Sequence, residues 1–131
     1  MCMTLADKIT EWLTTQWLVN KINGVLGIKL YDWQIDYIFH AKNLPEKVRL
    51  GRNNGKTLAH ILRILFNKSV GIRVYPRTIE VHDIKTHKTL YFCDEPEATW
   101  SYMLFYSHYL LEIRDKLSEA GLDKYLCEVY A

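Results

Sequence analysis

No stretch of this sequence approaches the roughly 18 apolar residues in a row that a membrane-spanning helix needs, so a helical membrane protein is not expected. Its first twelve residues, MCMTLADKITEW, break their apolar positions with acidic and polar ones and do not read as a secretory signal. Cysteine is scarce. Cys2, Cys93 and Cys127 form no C-x-x-C pair and leave one thiol over in any pairing scheme, which argues against a disulfide framework and for reduced thiols in a cytoplasm. The five histidines, His40, His60, His82, His87 and His108, make no His-x-x-x-His or Cys/His ligand spacing, so zinc is not expected. Internal repeats, low-complexity tracts and Ser/Gly linkers are also missing. What remains is 131 residues, 49% hydrophobic and 24% charged, enough for one buried core and too few for two. The expectation is a single soluble cytoplasmic domain, residues 1–131, of unknown oligomeric state.

The net charge of +2 conceals an asymmetry. Residues 1–41 carry three Lys/Arg against four Asp/Glu, residues 42–88 eleven against three, and residues 89–131 three against eight. A basic middle suits a polyanion, whether nucleotide or nucleic acid. Acidic and basic segments that neutralise one another across the folded surface explain the same numbers.

Periodicity divides the chain into helical and alternating parts. Thr4-Leu5-Ala6-Asp7 can cap a helix over about residues 5–22, with Leu5, Ile9, Trp12, Leu13 and Trp17 near helical spacing and Gly24 and Gly27 at its end. A second helix is predicted from Asp32 to about Ala41, before Pro45. Val48-Arg49-Leu50 reads as a short strand, and Thr57 to Phe66 as a helix. Downstream, Ile72 to Tyr75 is strand-like and stopped by Pro76; Thr78 to Ile84 and Lys88 to Cys93 flank a polar connection as a hairpin. A long helix follows from about Pro96 to Ala120, a main wall of the core. Tyr125 to Tyr130 fits a strand or a frayed helical turn. The fold class expected is α/β, with α+β as the variant: N-terminal helices, a strand, loop and helix, a small mixed sheet with a hairpin, and a long C-terminal helix.

Between the predicted strand and helix lies Leu50-Gly51-Arg52-Asn53-Asn54-Gly55-Lys56-Thr57. A phosphate-binding loop has the form G-x-x-x-x-G-K-[ST]: its backbone N–H groups curl around phosphates, Lys neutralises the outer ones and the hydroxyl binds Mg²⁺. Gly55, Lys56 and Thr57 match. The first glycine falls at Gly51, one residue late, and a surface turn at Asn53-Asn54-Gly55 that starts a helix is the competing reading.

LGRNNGKT, with LYDWQIDYIF at residues 30–39 before it, resembles the opening of the ATPase domain of bacteriophage terminase large subunits, and more distantly helicase-type ATPases. The resemblance covers about residues 29–67. It implies ATP and Mg²⁺ as cofactors, with Gln34 at the adenine edge, Trp33 or Tyr31 shaping the base site, Arg52 near the phosphates, and Lys56 and Thr57 in their usual roles. The family also has a hydrophobic strand ending in Asp-Glu, and Leu90-Tyr91-Phe92-Cys93-Asp94-Glu95 has that form. Asp94 would then order the metal, with Thr57, and Glu95 would orient the attacking water as the catalytic residue. This segment arrives sooner after the loop than in the family, and Asp94-Glu95-Pro96-Glu97 equally makes an acidic cap for the long helix. A chain of this length has no room for a packaging motor. The resemblance implies a small phage or mobile-element nucleotide-binding protein, in the host cytoplasm if phage encoded, whose weak ATPase activity is an open expectation.

Two other classes stay open. One is an interaction module, such as a phage inhibitor of a host defence (anti-CRISPR-like) or replication enzyme; most of Trp12, Trp17, Trp100, Phe105 and Tyr106 are expected in the core, and a spare aromatic patch would favour a protein partner. The other is a nucleic-acid binder using Arg73, Arg77, Lys85 and Lys88 interleaved with Tyr75, His82 and His87. A solvated outer sheet face accounts for the same residues.

Overall fold

A computed structural model describes residues 4–40, 42–46, 55–75, 78–92 and 100–130. Helix α1 spans Leu5–Leu26, α2 Asp32–Phe39, α3 Lys56–Leu65 and α4 Trp100–Glu119, with strands β1 Val70–Tyr75, β2 Thr78–Asp83, β3 Thr89–Phe92 and β4 Glu128–Tyr130. The predicted strand at Val48-Arg49-Leu50, the loop residues Gly51 to Asn54, Arg77, and Cys93 to Glu97 lie outside the described residues. The architecture is the expected helices with a small mixed sheet and a long C-terminal helix.

Local chemistry explains the element ends. Thr4 Oγ1 accepts from the Asp7 N–H at 3.1 Å and the Asp7 carboxylate accepts from the Thr4 N–H at 3.3 Å, a reciprocal box that satisfies two donors at the start of α1. Gly24 stays inside the helix; Gly27, at φ +66°, ends it with its N–H on the Asn23 carbonyl. The C-terminal segment takes the strand alternative, β4, which a 3₁₀ turn at Asp123–Tyr125 precedes.

The strand order is β3-β2-β1-β4. β1 and β2 form an antiparallel hairpin, β3 continues it antiparallel with an irregularity at Val81/His82, and β4 adds parallel to β1 through Gly71, Ile72 and Arg73. The alternation of β1 and β2 puts Val70, Ile72, Ile79 and Val81 on the helix side, where they are buried with Ile61, Leu62 and Leu65 of α3 and Leu110, Ile113 and Leu117 of α4. α3 is the hub of the core because five of its ten residues are buried: Ala59, Ile61, Leu62, Ile64 and Leu65.

The largest departure from the sequence reading is in α1. Leu5, Ile9, Trp12, Leu13 and Trp17 are all exposed, Trp12 at 58%, while the buried positions are Thr15, Leu18, Val19 and Ile22. Every residue from Thr4 to Thr14 is exposed, so among the described residues nothing covers the apolar side of the first turns of α1. Apolar spacing reports which residues share a face, not whether that face is covered. Phe105, also expected in the core, is exposed and stacks on Tyr109, whereas Tyr106 is buried as expected; the side chain of Trp100 lies outside the described residues. No helix among the described residues is long and apolar enough to cross a membrane.

Candidate functional site

The site begins at the N-terminus of α3. Gly55 caps the helix in the left-handed region, at φ +84°, and Lys56 and Thr57 are its first two residues. Amides of a first helical turn have no intrahelical acceptor and point outward, so this end favours an anion. The Gly55 carbonyl faces the body, accepting from the Ala59 N–H at 3.0 Å and from Nε2 of Gln34 at 3.2 Å.

Gln34, only 3% exposed, is therefore the residue that ties α2 to this loop. Its Oε1 accepts from the Tyr31 N–H at 2.8 Å while Nε2 donates to Gly55, so each end of one buried amide has a backbone partner. The side chain expected at an adenine edge holds backbone instead. Next to it the rings of Tyr31 and Trp33 stack with centroids 6.5 Å apart and 16° between planes, with Tyr31 exposed and Trp33 half-buried. The structure thus brings Trp33, Gln34, Gly55, Lys56 and Thr57 to one corner. Gly51, Arg52, Asp94 and Glu95 lie outside the described residues, so of the two expected magnesium ligands only Thr57 is among them. Among the described residues no group of three or more His, Cys, Asp or Glu side chains is placed to hold a metal.

The nucleic-acid candidates separate. Lys85 and Lys88 are exposed in the connection between β2 and β3. Arg73 is exposed on the sheet face opposite the helices, 3.9 Å from the Glu80 carboxylate, which draws on its charge. His82, expected among the stacking groups, is buried on that face. It lies over Gly71, where an added Cβ would come within 2.5 Å of its Nε2, and it stacks on Tyr130 at 6.1 Å. Glu80 is buried beside it and accepts from the Thr89 hydroxyl at 2.9 Å. This cluster is closed by its own side chains and offers no free platform at His82 for a base. Cys127 is a buried free thiol pushed up to about 12 by its burial, so it stays protonated and unreactive near neutral pH.

Sequence reasoning missed a second polar group on α3. His60 and Arg63 follow Lys56 at helical intervals on one side of the helix and Asn67 comes just past its end, a spacing visible in the sequence. Their partners are not local: His60 Nδ1 is 2.5 Å from the Tyr106 hydroxyl, and the Arg63 guanidinium lies 4.3 Å from the centre of the Tyr37 ring. Burial, then the neighbouring Arg63 charge, lower the His60 pKa and favour the neutral ring. Comparison of the chain with protein-family models, curated proteins and solved structures finds no match.

Proposed function

We propose that this protein binds a nucleotide at the N-terminus of α3, with phosphates against the first-turn amides and Lys56, and Thr57 toward the metal. The observation that supports the reading is the Gln34 bridge. A buried Gln34 amide, bonded to the Tyr31 N–H and across 21 residues to the Gly55 carbonyl, sets the exposed Tyr31 ring and the half-buried Trp33 ring beside a left-handed glycine, lysine and threonine. In this reading Gln34 positions the loop, and the stacked Tyr31 and Trp33 rings receive the base. Bound Mg²⁺ would neutralise phosphate charge; hydrolysis is no part of the proposal.

Calorimetric titration of the full chain with ATP and Mg²⁺ tests it. Micromolar affinity, about −8 kcal/mol, is expected for the wild type, with at least about a tenfold loss in Lys56→Ala because a charge-assisted phosphate contact is removed. Absence of binding in the wild type, or equal affinity in the variant, sinks the reading.

A second reading, a protein-interaction module, has its own observation. The exposed row Leu5, Ile9, Leu13 and Trp17, flanked by Trp12, presents an i, i+4 ridge of the kind that packs into another helix. Here a partner complex is expected to survive Lys56→Ala and to be lost in Trp12→Glu, a change at an exposed site that leaves folding within about 0.5 kcal/mol. A complex indifferent to Trp12→Glu rejects α1 as the docking element.

A further inference from the structure

A cavity of about 320 Å³ opens between α2, α3 and the β2-β3 edge, away from the Lys56 corner along the same side of α3. This volume sits at the small end of the range of roughly 300–1,000 Å³ typical of ligand sites. Its floor is apolar, made by Ile64, Val70 and Val81. Its polar lining comes from Tyr37, His60, Arg63, Asn67 and Tyr91, and among the described residues no acid lines it.

The polar groups are arranged as donors. Arg63 lies over the Tyr37 ring at 4.3 Å and pairs with no carboxylate among the described residues. A ring contact is not a carboxylate pairing, so the guanidinium fork keeps its capacity for a planar anion. Asn67 Oδ1 accepts from the Ser69 N–H at 3.1 Å and from the Ser69 hydroxyl at 2.6 Å. Since a backbone N–H can only donate, the amide oxygen is fixed toward Ser69, and its amino group, without a partner among the described residues, is the end left to donate. His60 adds Nε2, which donates in the tautomer whose Nδ1 accepts from the Tyr106 hydroxyl. A cationic fork and an amide donor above an apolar floor match an anion that carries an apolar body. One guanidinium, with no second Lys or Arg in the lining among the described residues, matches a single negative charge in a planar group, such as a carboxylate.

We propose that this cavity binds a small carboxylate on a single-ring apolar body, its carboxylate on Arg63 and Asn67 and its ring on Ile64, Val70 and Val81. The proposal stands apart from nucleotide binding. The test is a two-dimensional amide NMR titration of the full chain with phenylacetate, with phenylacetamide and acetate as controls. Saturable shifts are expected at Val70, Val81 and Leu90 with phenylacetate. Each control is expected to bind at least about tenfold more weakly, one lacking the charge and the other the body. Arg63→Gln is expected to lose at least about tenfold, and Arg63→Lys, which keeps charge and stem should the first variant fail to fold, several-fold through loss of the fork. Lys56→Ala, the variant expected to weaken ATP binding, is expected to leave phenylacetate affinity unchanged. The proposal is overturned by no saturable shift in the wild type, by phenylacetamide or acetate binding as well as phenylacetate, by unchanged affinity in Arg63→Lys, or by loss of binding in Lys56→Ala.

Discussion

Leu65→Ala is expected to destabilise the protein by about 3 kcal/mol. Leu65 has no exposed surface, and it packs in the core at the end of α3. Its backbone carbonyl accepts from the Cys127 N–H at 2.7 Å, so the turn that loses the side chain is also the one that ties in the chain before β4. Truncation removes buried methyl groups and leaves a cavity whose rigid surroundings relax only in part. With a total stability of about 5–15 kcal/mol for ordinary domains, this is a large fraction, and the melting temperature is expected to fall by on the order of 10 °C. Urea unfolding with an unchanged slope measures it. Leu13→Ala is the control: the same chemical deletion at a site 55% exposed is expected to cost within about 0.5 kcal/mol. Equal costs at the two positions would contradict α3 as the hub of the core.

That pair of leucines also marks where the sequence was readable. The Thr4-Asp7 box, the hairpin of β2 and β3, the helix after Lys56 and the long α4 each follow from interactions between residues close in the chain, and each was visible as a pattern. Coverage of an apolar face is a tertiary property, so the spacing that brought Leu5, Ile9, Trp12, Leu13 and Trp17 together could not tell them from Leu18, Val19 and Ile22. The parallel pairing of β4 with β1 likewise depends on α4 returning Glu128 to Gly71, which no local signal encodes. At the candidate site, motif spacing singled out Gly55, Lys56 and Thr57, and the resemblance added Gln34. The bond from Gln34 to Gly55 was not legible, because an amide reads the same in the sequence whether it faces a ligand or a backbone carbonyl. The place of His82 likewise depends on a residue of the neighbouring strand. A polar residue on a strand's outer side is usually solvated, but Gly71 opposite it leaves a recess that the imidazole fills.

Gly55→Ala is expected to have the next largest effect, and to couple stability to binding. The glycine sits at φ +84°, where an L side chain costs about 1–2 kcal/mol, and its new Cβ would lie 2.6 Å from Nε2 of Gln34. Gln34 must then move, and a buried amide displaced from its carbonyl partner costs about a further 1–3 kcal/mol. The sum is about 3 kcal/mol, read by urea unfolding. The two contributions can be separated with Gln34→Ala, which removes the obstructing amide and leaves only the backbone strain. In the Gln34→Ala background the added cost of Gly55→Ala is therefore expected to drop to about 1–2 kcal/mol, a non-additivity that contacting residues show and distant ones do not. Full additivity would mean that Gln34 does not hold Gly55, removing the observation on which the nucleotide reading rests. If the coupling is found and ATP affinity falls with it in each single variant, the bridge positions the loop. Coupling without any change in ATP affinity would make the bridge a purely structural tie between α2 and α3.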